Sequence, residues 1–141
     1  GILDESGMER VQNRIEKLPF MDWRQLPAVI AGLDINLMPL EDSLFHCCKS
    51  ENKWTEAALV KVPSIMSRNR EMEYVIENGK NGWMCRTKEE WVSALESLIT
   101  DEKARRAMGE AAHQKVMEQY LTRNTGKDAM EELLCSESYT K

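Results

Sequence analysis

Lys49, Ser50, Lys53 and Glu56 lie within one short stretch, and their types and spacing suit a phosphorylated ligand. Ser50 is a good N-cap for a helix expected over about residues 51–61. A helix start of that kind turns unpaired backbone N–H groups and a partial positive charge toward a phosphate or diphosphate. Lys49 and Lys53 add positive charge nearby. One and a half turns into the helix, Glu56 can turn a carboxylate toward the same mouth, and an acceptor-only group suits paired ribose hydroxyls. A phosphate clamp beside a hydroxyl reader describes a nucleotide site. Every helix has an N-terminus, however, and most Ser caps serve only to satisfy backbone donors. Spacing alone leaves both readings open.

The elements that must position these residues follow from the periodicity. Residues 3–13 carry weak helical patterning, and residues 14–20, from Arg14 to Phe20, alternate polar and apolar and read as a short strand. Asp22 caps a helix from Trp23 to Ala31, in which Leu26, Val29 and Ile30 recur at helical spacing, Pro27 sits in the first turn and Gly32 takes the C-cap. Residues 35–40 are a brief apolar run closed by Pro39, which suits a buried parallel strand leading into a loop over residues 41–49. After the helix that begins near Ser50, residues 62–67 supply another short strand. A helical turn or two is expected over residues 71–77. Asn78-Gly79-Lys80-Asn81-Gly82 is dense in turn residues, and Trp83-Met84-Cys85 reads as an edge strand. Thr87 and Glu90 form a capping box before Trp91, Leu95 and Leu98, and Asp101 starts a further helix through Ala104, Met108, Ala111, Ala112 and Val116. A last amphipathic stretch carries Ala129, Met130, Leu133 and Leu134.

Strands alternating with helices imply an α/β fold with a mostly parallel, Rossmann-like sheet flanked by helices, and ligands of such sheets bind outside the carboxyl ends of the strands. The chain has 141 residues, 42% of them apolar, which is room for one domain. It opens on Gly1-Ile2-Leu3 without an initiator Met or a first buried strand. That reads as a cut from a longer chain, with a sheet incomplete at its N-terminus, a core over about residues 14–120 and a helical tail over 121–141. The net charge of −5 argues against a bulk nucleic-acid binder. No apolar run approaches the roughly 20 residues that span a bilayer.

Several other residues carry plainer readings. Cys47, Cys48, Cys85 and Cys135 form neither a zinc motif nor an evident disulfide pair, so reduced thiols and a cytoplasmic setting are expected. No metal site and no cofactor are expected. Trp54, Trp83 and Trp91 are expected in the core. Arg68 and Arg70, after the strand ending near Ser67, either face the ligand cleft or are solvated loop charges.

The run from Leu26-Pro27-Ala28 through Met38-Pro39-Leu40, followed by Cys48-Lys49-Ser50 through Val62-Pro63-Ser64-Ile65, closely resembles the carboxyl-terminal domain of family 4 (group 1) retaining glycosyltransferases. Asn78-Gly79-Lys80-Asn81-Gly82-Trp83-Met84 looks like the same family's turn and strand, and Asp101 to Tyr120 resembles its helical tail. The resemblance covers nearly everything from residue 14 onward and keeps its four pieces in order.

The resemblance implies a GT-B fold, in which two Rossmann-like domains face a cleft and the carboxyl-terminal one holds a nucleotide sugar. It implies transfer of a sugar, with retention, from a nucleoside diphosphate donor to a glycan, lipid or small acceptor. In the family, two glutamates with seven residues between them mark the site. Glu56 matches the second and would read the ribose, whereas Cys48 stands at the position of the first. Some members carry a Cys-Lys-Ser segment with a downstream Lys and Glu, the pattern of Cys48, Lys49, Ser50, Lys53 and Glu56. The amides of Lys49 and Ser50 would then approach the donor, with Phe45 and His46 lining the loop. No catalytic residue is assigned. The family's diphosphate-clamping basic residues lie earlier in the domain, and its acceptor groups lie in an amino-terminal domain, the implied partner. Weak donor binding and no turnover are therefore expected of the chain alone. Peripheral membrane association of the parent protein and a homodimer stay open. The competing reading is a non-catalytic α/β interaction module that binds no nucleotide and docks a partner through its helical tail.

Overall fold

The computed structural model describes residues 9–41 and 50–121. Three short parallel strands, β1 (Asn36–Met38), β2 (Ser64–Ser67) and β3 (Trp83–Cys85), form one sheet in the order β1-β2-β3. The register pairs Leu37 with Ile65 and Met38 with Met66, then Met66 with Met84 and Ser67 with Cys85. Because side chains alternate along a strand, Met38, Met66 and Met84 fall on one face and Ile65 and Cys85 on the other. The expected α/β architecture with a parallel sheet is thus realised, with Trp83–Cys85 at one edge.

Each face has its own core. On the first, Met38 and Met66 pack with Trp54 and Ala58 of helix α2 (Asn52–Leu59) and with Ala112 and Val116 of helix α4 (Glu102–Gln119). On the second, Ile65 and Cys85 pack with Ala94 and Leu98 of helix α3 (Lys88–Thr100) and with Met108 of α4. Helix α4 therefore serves both cores from one side chain row. Helix α1 (Leu26–Ala31) precedes β1, introduced by a 3-10 turn at Trp23–Gln25 that Asp22 caps through a 2.9 Å hydrogen bond from the Arg24 N–H. Gly32 is its C-cap, as expected.

The two long helices start where their sequence signals stand. Thr87 Oγ1 accepts from the Glu90 N–H at 3.3 Å, and the Glu90 carboxylate accepts from the N–H of Arg86 at 2.6 Å and of Thr87 at 3.3 Å. Those two backbone hydrogen bonds, with the nearby charges of Arg68 and Arg86, hold the Glu90 carboxyl below its ordinary range. Asp101 caps α4 by accepting from the Ala104 N–H at 2.9 Å.

Helix α2 ends in a tight reversal. The N–H of Val62 reaches the Ala57 carbonyl at 2.9 Å and that of Lys61 reaches Ala58 at 3.0 Å, while Lys61 takes a left-handed φ of 64° where glycine is usual. Gly109 of α4 is seated on this reversal, and any Cβ there would overlap the Lys61 carbonyl.

Two expectations need correction. Residues 14–20 do not form a strand: a 3-10 helix ends at Arg14 and residues 15–22 have no regular element. Alternation gives a strand a face but not a neighbour. No described strand pairs with this segment, and Phe20 is fully exposed. Of the three tryptophans expected in the core, Trp54 is buried, whereas Trp83 and Trp91 are only half-buried against the second core. Both sit where an edge strand and its helix leave one side of a large ring open. The amphipathic stretch around Met130 lies outside the described residues, as do Cys47, Cys48 and Cys135. Cys85 is a free, buried thiol whose pKa is raised by that burial.

Two measurements check these packing arguments. Gly109→Ala should destabilise the fold by about 3 kcal/mol, since backbone meets the new methyl and neither side can yield cheaply; a urea denaturation midpoint unchanged from the parent would contradict it. Glu90 has a folded pKa below its unfolded one. Its contribution is therefore present above the unfolded value and lost as pH falls through the folded value. Glu90→Gln should accordingly flatten the acid limb of stability against pH, followed by thermal melts.

Candidate functional site at the carboxyl edge of the sheet

In a parallel strand-helix-strand unit, the helix starts on the side of the strands' carboxyl ends. Helix α2 leaves from beyond β1 and delivers the chain to the start of β2, so its N-terminus opens on that edge. The segment after β1 is tied there by one side chain. Ser67, the last residue of β2, accepts from the Leu40 N–H at 2.8 Å and donates its hydroxyl to the Leu40 carbonyl at 3.0 Å. Nothing in the sequence singled out Ser67 for this role.

The start of α2 differs from expectation in its cap. The N-cap is Glu51 rather than Ser50, and it makes no side-chain capping hydrogen bond. Its carbonyl takes the N–H of Thr55 at 2.9 Å and the Thr55 hydroxyl at 3.2 Å. Ser50 is exposed one residue earlier. Because they stand three positions apart, Lys53 and Glu56 share one face of α2; both are exposed, whereas Trp54, Ala57 and Ala58 are buried. Lys53 and Glu56 thus lie on the first turns of α2, and Ser50 precedes its N-cap. Phe45, His46, Cys48 and Lys49 lie outside the described residues.

What holds this helix start is buried. Trp54 Nε1 donates to the Asn81 carbonyl at 3.1 Å. Asn81 is itself buried, accepting from the Glu77 N–H at 2.8 Å and donating to the Val75 carbonyl at 3.0 Å. The ring of Tyr120, the C-cap of α4, meets Trp54 edge-on with centroids 6.1 Å apart. Burial, followed by the charge and hydrogen bond of Glu51, pushes the Tyr120 phenol above its ordinary pKa. Tyr120, Glu51 and Asn81 were missed in the sequence. Only the Asn-Gly turn residues around Asn81 offered a signal, and that signal spoke of a turn.

Of the two arginines after β2, Arg68 is a half-exposed side chain paired with Glu73 at 2.7 Å, and Arg70 is exposed. Among the described residues no group of His, Cys, Asp and Glu could hold a metal ion, and no helix is long and apolar enough to cross a membrane.

A parallel sheet of this order, flanked by helices and with a helix start at its carboxyl edge, defines an α/β domain. The family model described as glycosyl transferase-like matches residues 6–133, and the chain belongs to that family. It is similar in fold to the crystal structure of the C-terminal domain of a glycosyl transferase group 1 family protein (LpcC) from Francisella tularensis. That likeness has a TM-score of 0.56 and 22% identity, and it covers 73% of this chain and 52% of the other. No curated protein matches the chain.

The Ser67 tether gives a direct check. Ser67→Ala removes both hydrogen bonds to Leu40 and should cost about 1–3 kcal/mol, because a half-buried N–H and carbonyl lose their partner. Faster amide hydrogen exchange at Leu40 is the expected signature, and unchanged exchange there would contradict the tether.

Proposed function

We propose that the chain is the donor-binding domain of a retaining glycosyltransferase whose whole protein moves a sugar from a nucleoside diphosphate to a glycan, lipid or small acceptor. The observation that carries this reading is the start of α2. A helix N-terminus without a side-chain cap faces the ligand edge of a parallel sheet, with Lys53 and Glu56 on its exposed face, in a member of the glycosyl transferase-like family.

In this reading the terminal N–H groups and the helix dipole hold the diphosphate, and Lys53 and Lys49 add charge. Glu56 accepts from the ribose hydroxyls. The amides of Lys49 and Ser50 approach the donor beside Cys48, with Phe45 and His46 lining the loop. Positive potential at the diphosphate matters most as the sugar departs, because charge then accumulates on the leaving oxygen. An amino-terminal domain of the same protein supplies the acceptor side and closes the cleft, so the domain alone binds weakly and does not turn over. The chain contributes one partial Rossmann-like domain, with its core at about residues 14–120 and a helical tail over 121–141, to a protein placed in the cytoplasm.

A non-catalytic interaction module is the second reading. It draws support from Leu18, Phe20 and Trp23, three large apolar side chains exposed in the N-terminal segment.

Titration of the chain with uridine, guanosine and adenosine diphosphates, followed by backbone and indole NMR shifts, separates the two. Saturable shifts across residues 50–56 that weaken at least several-fold in Glu56→Ala are expected, and the preferred diphosphate identifies the base. Absence of shifts at millimolar ligand would sink donor binding by this domain and favour the interaction module.

A further inference from the structure

The two edges of the sheet are finished differently. Along β3, the Cys85 carbonyl accepts the Arg68 N–H at 2.9 Å, so Cys85 faces β2 and Met84 before it turns its main chain outward. That outward N–H is taken by Asn78 Oδ1 at 2.7 Å. A side chain from the preceding turn thus closes this edge to further pairing.

Along β1 the same alternation ends otherwise. Asn36 donates its N–H to the Pro63 carbonyl at 2.9 Å, and Leu40 exchanges two hydrogen bonds with Ser67, so Asn36, Met38 and Leu40 face β2. The N–H and carbonyl of Leu37 therefore point away from β2, and no described residue pairs with them. Pro39, the next outward position, has no N–H to leave unpaired. The Leu37 side chain is 47% exposed, whereas Ile65, its register partner on the same face, is fully buried. Helix α1, which leads into β1, carries Leu26, Val29 and Ile30 yet buries none of its residues. An unprotected main chain, an apolar side chain left uncovered and a leading helix only partly packed are the marks of an interior strand, since parallel sheets are ordinarily covered on both faces.

We propose that the outer edge of β1 is a strand-pairing surface whose occupant is a further parallel β-strand of the same polypeptide, joined through the N–H and carbonyl of Leu37. Two observations select that occupant. The chain covers only 52% of the solved domain that shares its fold, so a domain of this kind holds more chain than the three strands use. A second copy related by a two-fold axis normal to the sheet would run antiparallel to β1, against the direction of every described strand. The pairing is independent of the donor reading.

The test compares the chain alone with the whole protein by amide hydrogen exchange at Leu37, with the capped Met84 amide as reference. Leu37 should exchange on the order of a hundredfold more slowly in the whole protein, because a ladder N–H is released only by local opening, while Met84 is protected in both. Leu37→Lys should shift the melting temperature of the chain alone by no more than about 2 °C, as an exposed substitution does, and lower that of the whole protein by clearly more. Equally fast Leu37 exchange in the two forms would overturn the proposal. Protection in the whole protein that fades on dilution, together with a dimer in sedimentation, would also overturn it by making a second copy the occupant.

Discussion

Burial of Trp54 is the constraint on which the carboxyl edge of this protein depends. Its indole fills the space between the sheet, the end of α4 and the turn before β3, and its one polar atom is satisfied by the Asn81 carbonyl. A buried indole N–H with no partner would be costly, so the turn at residues 78–82 and the first turn of α2 are held in one geometry. Everything exposed on that helix start, Lys53 and Glu56 included, inherits its position from a side chain facing the other way.

A second constraint couples the helix at its other end. Gly109 allows α4 to sit directly on the left-handed reversal at Lys61, and an exposed Lys61–Glu110 ion pair at 2.8 Å lies beside it. The close backbone approach contributes far more than the ion pair, which solvent screens. Helix α4 thus brackets α2, touching its reversal through Gly109 and its first turn through Tyr120. The orientation of the candidate site is set by a helix that contributes no ligand-facing residue to it.

Much of this was readable in the residues. The capping box at Thr87 and Glu90, the Asp101 cap and the Asn-Gly turn have local chemistry that tertiary context did not overrule. The strands were legible as brief apolar runs. Local signals failed where the outcome depended on a distant partner. The alternation in residues 14–20 lacks a neighbouring strand among the described residues. Ser50 lost the cap to Glu51 because the helix starts one residue later. The Ser67 tether and the Trp54–Asn81 bond join residues about 27 apart, which no periodicity reports. Glu56 and Lys53, named from their types and spacing, both lie exposed on α2.

The central claim is that a nucleoside diphosphate sits on the start of α2. A crystal structure of the chain with the tightest-binding nucleoside diphosphate tests it most directly. The account predicts phosphate oxygens within hydrogen-bond reach of the N–H groups of residues 52–54 and ribose hydroxyls on the Glu56 carboxylate. A nucleotide seated instead in the polar groove at the opposite end of the sheet, among Asp34, Lys61 and Arg105, with α2 left bare, would contradict it.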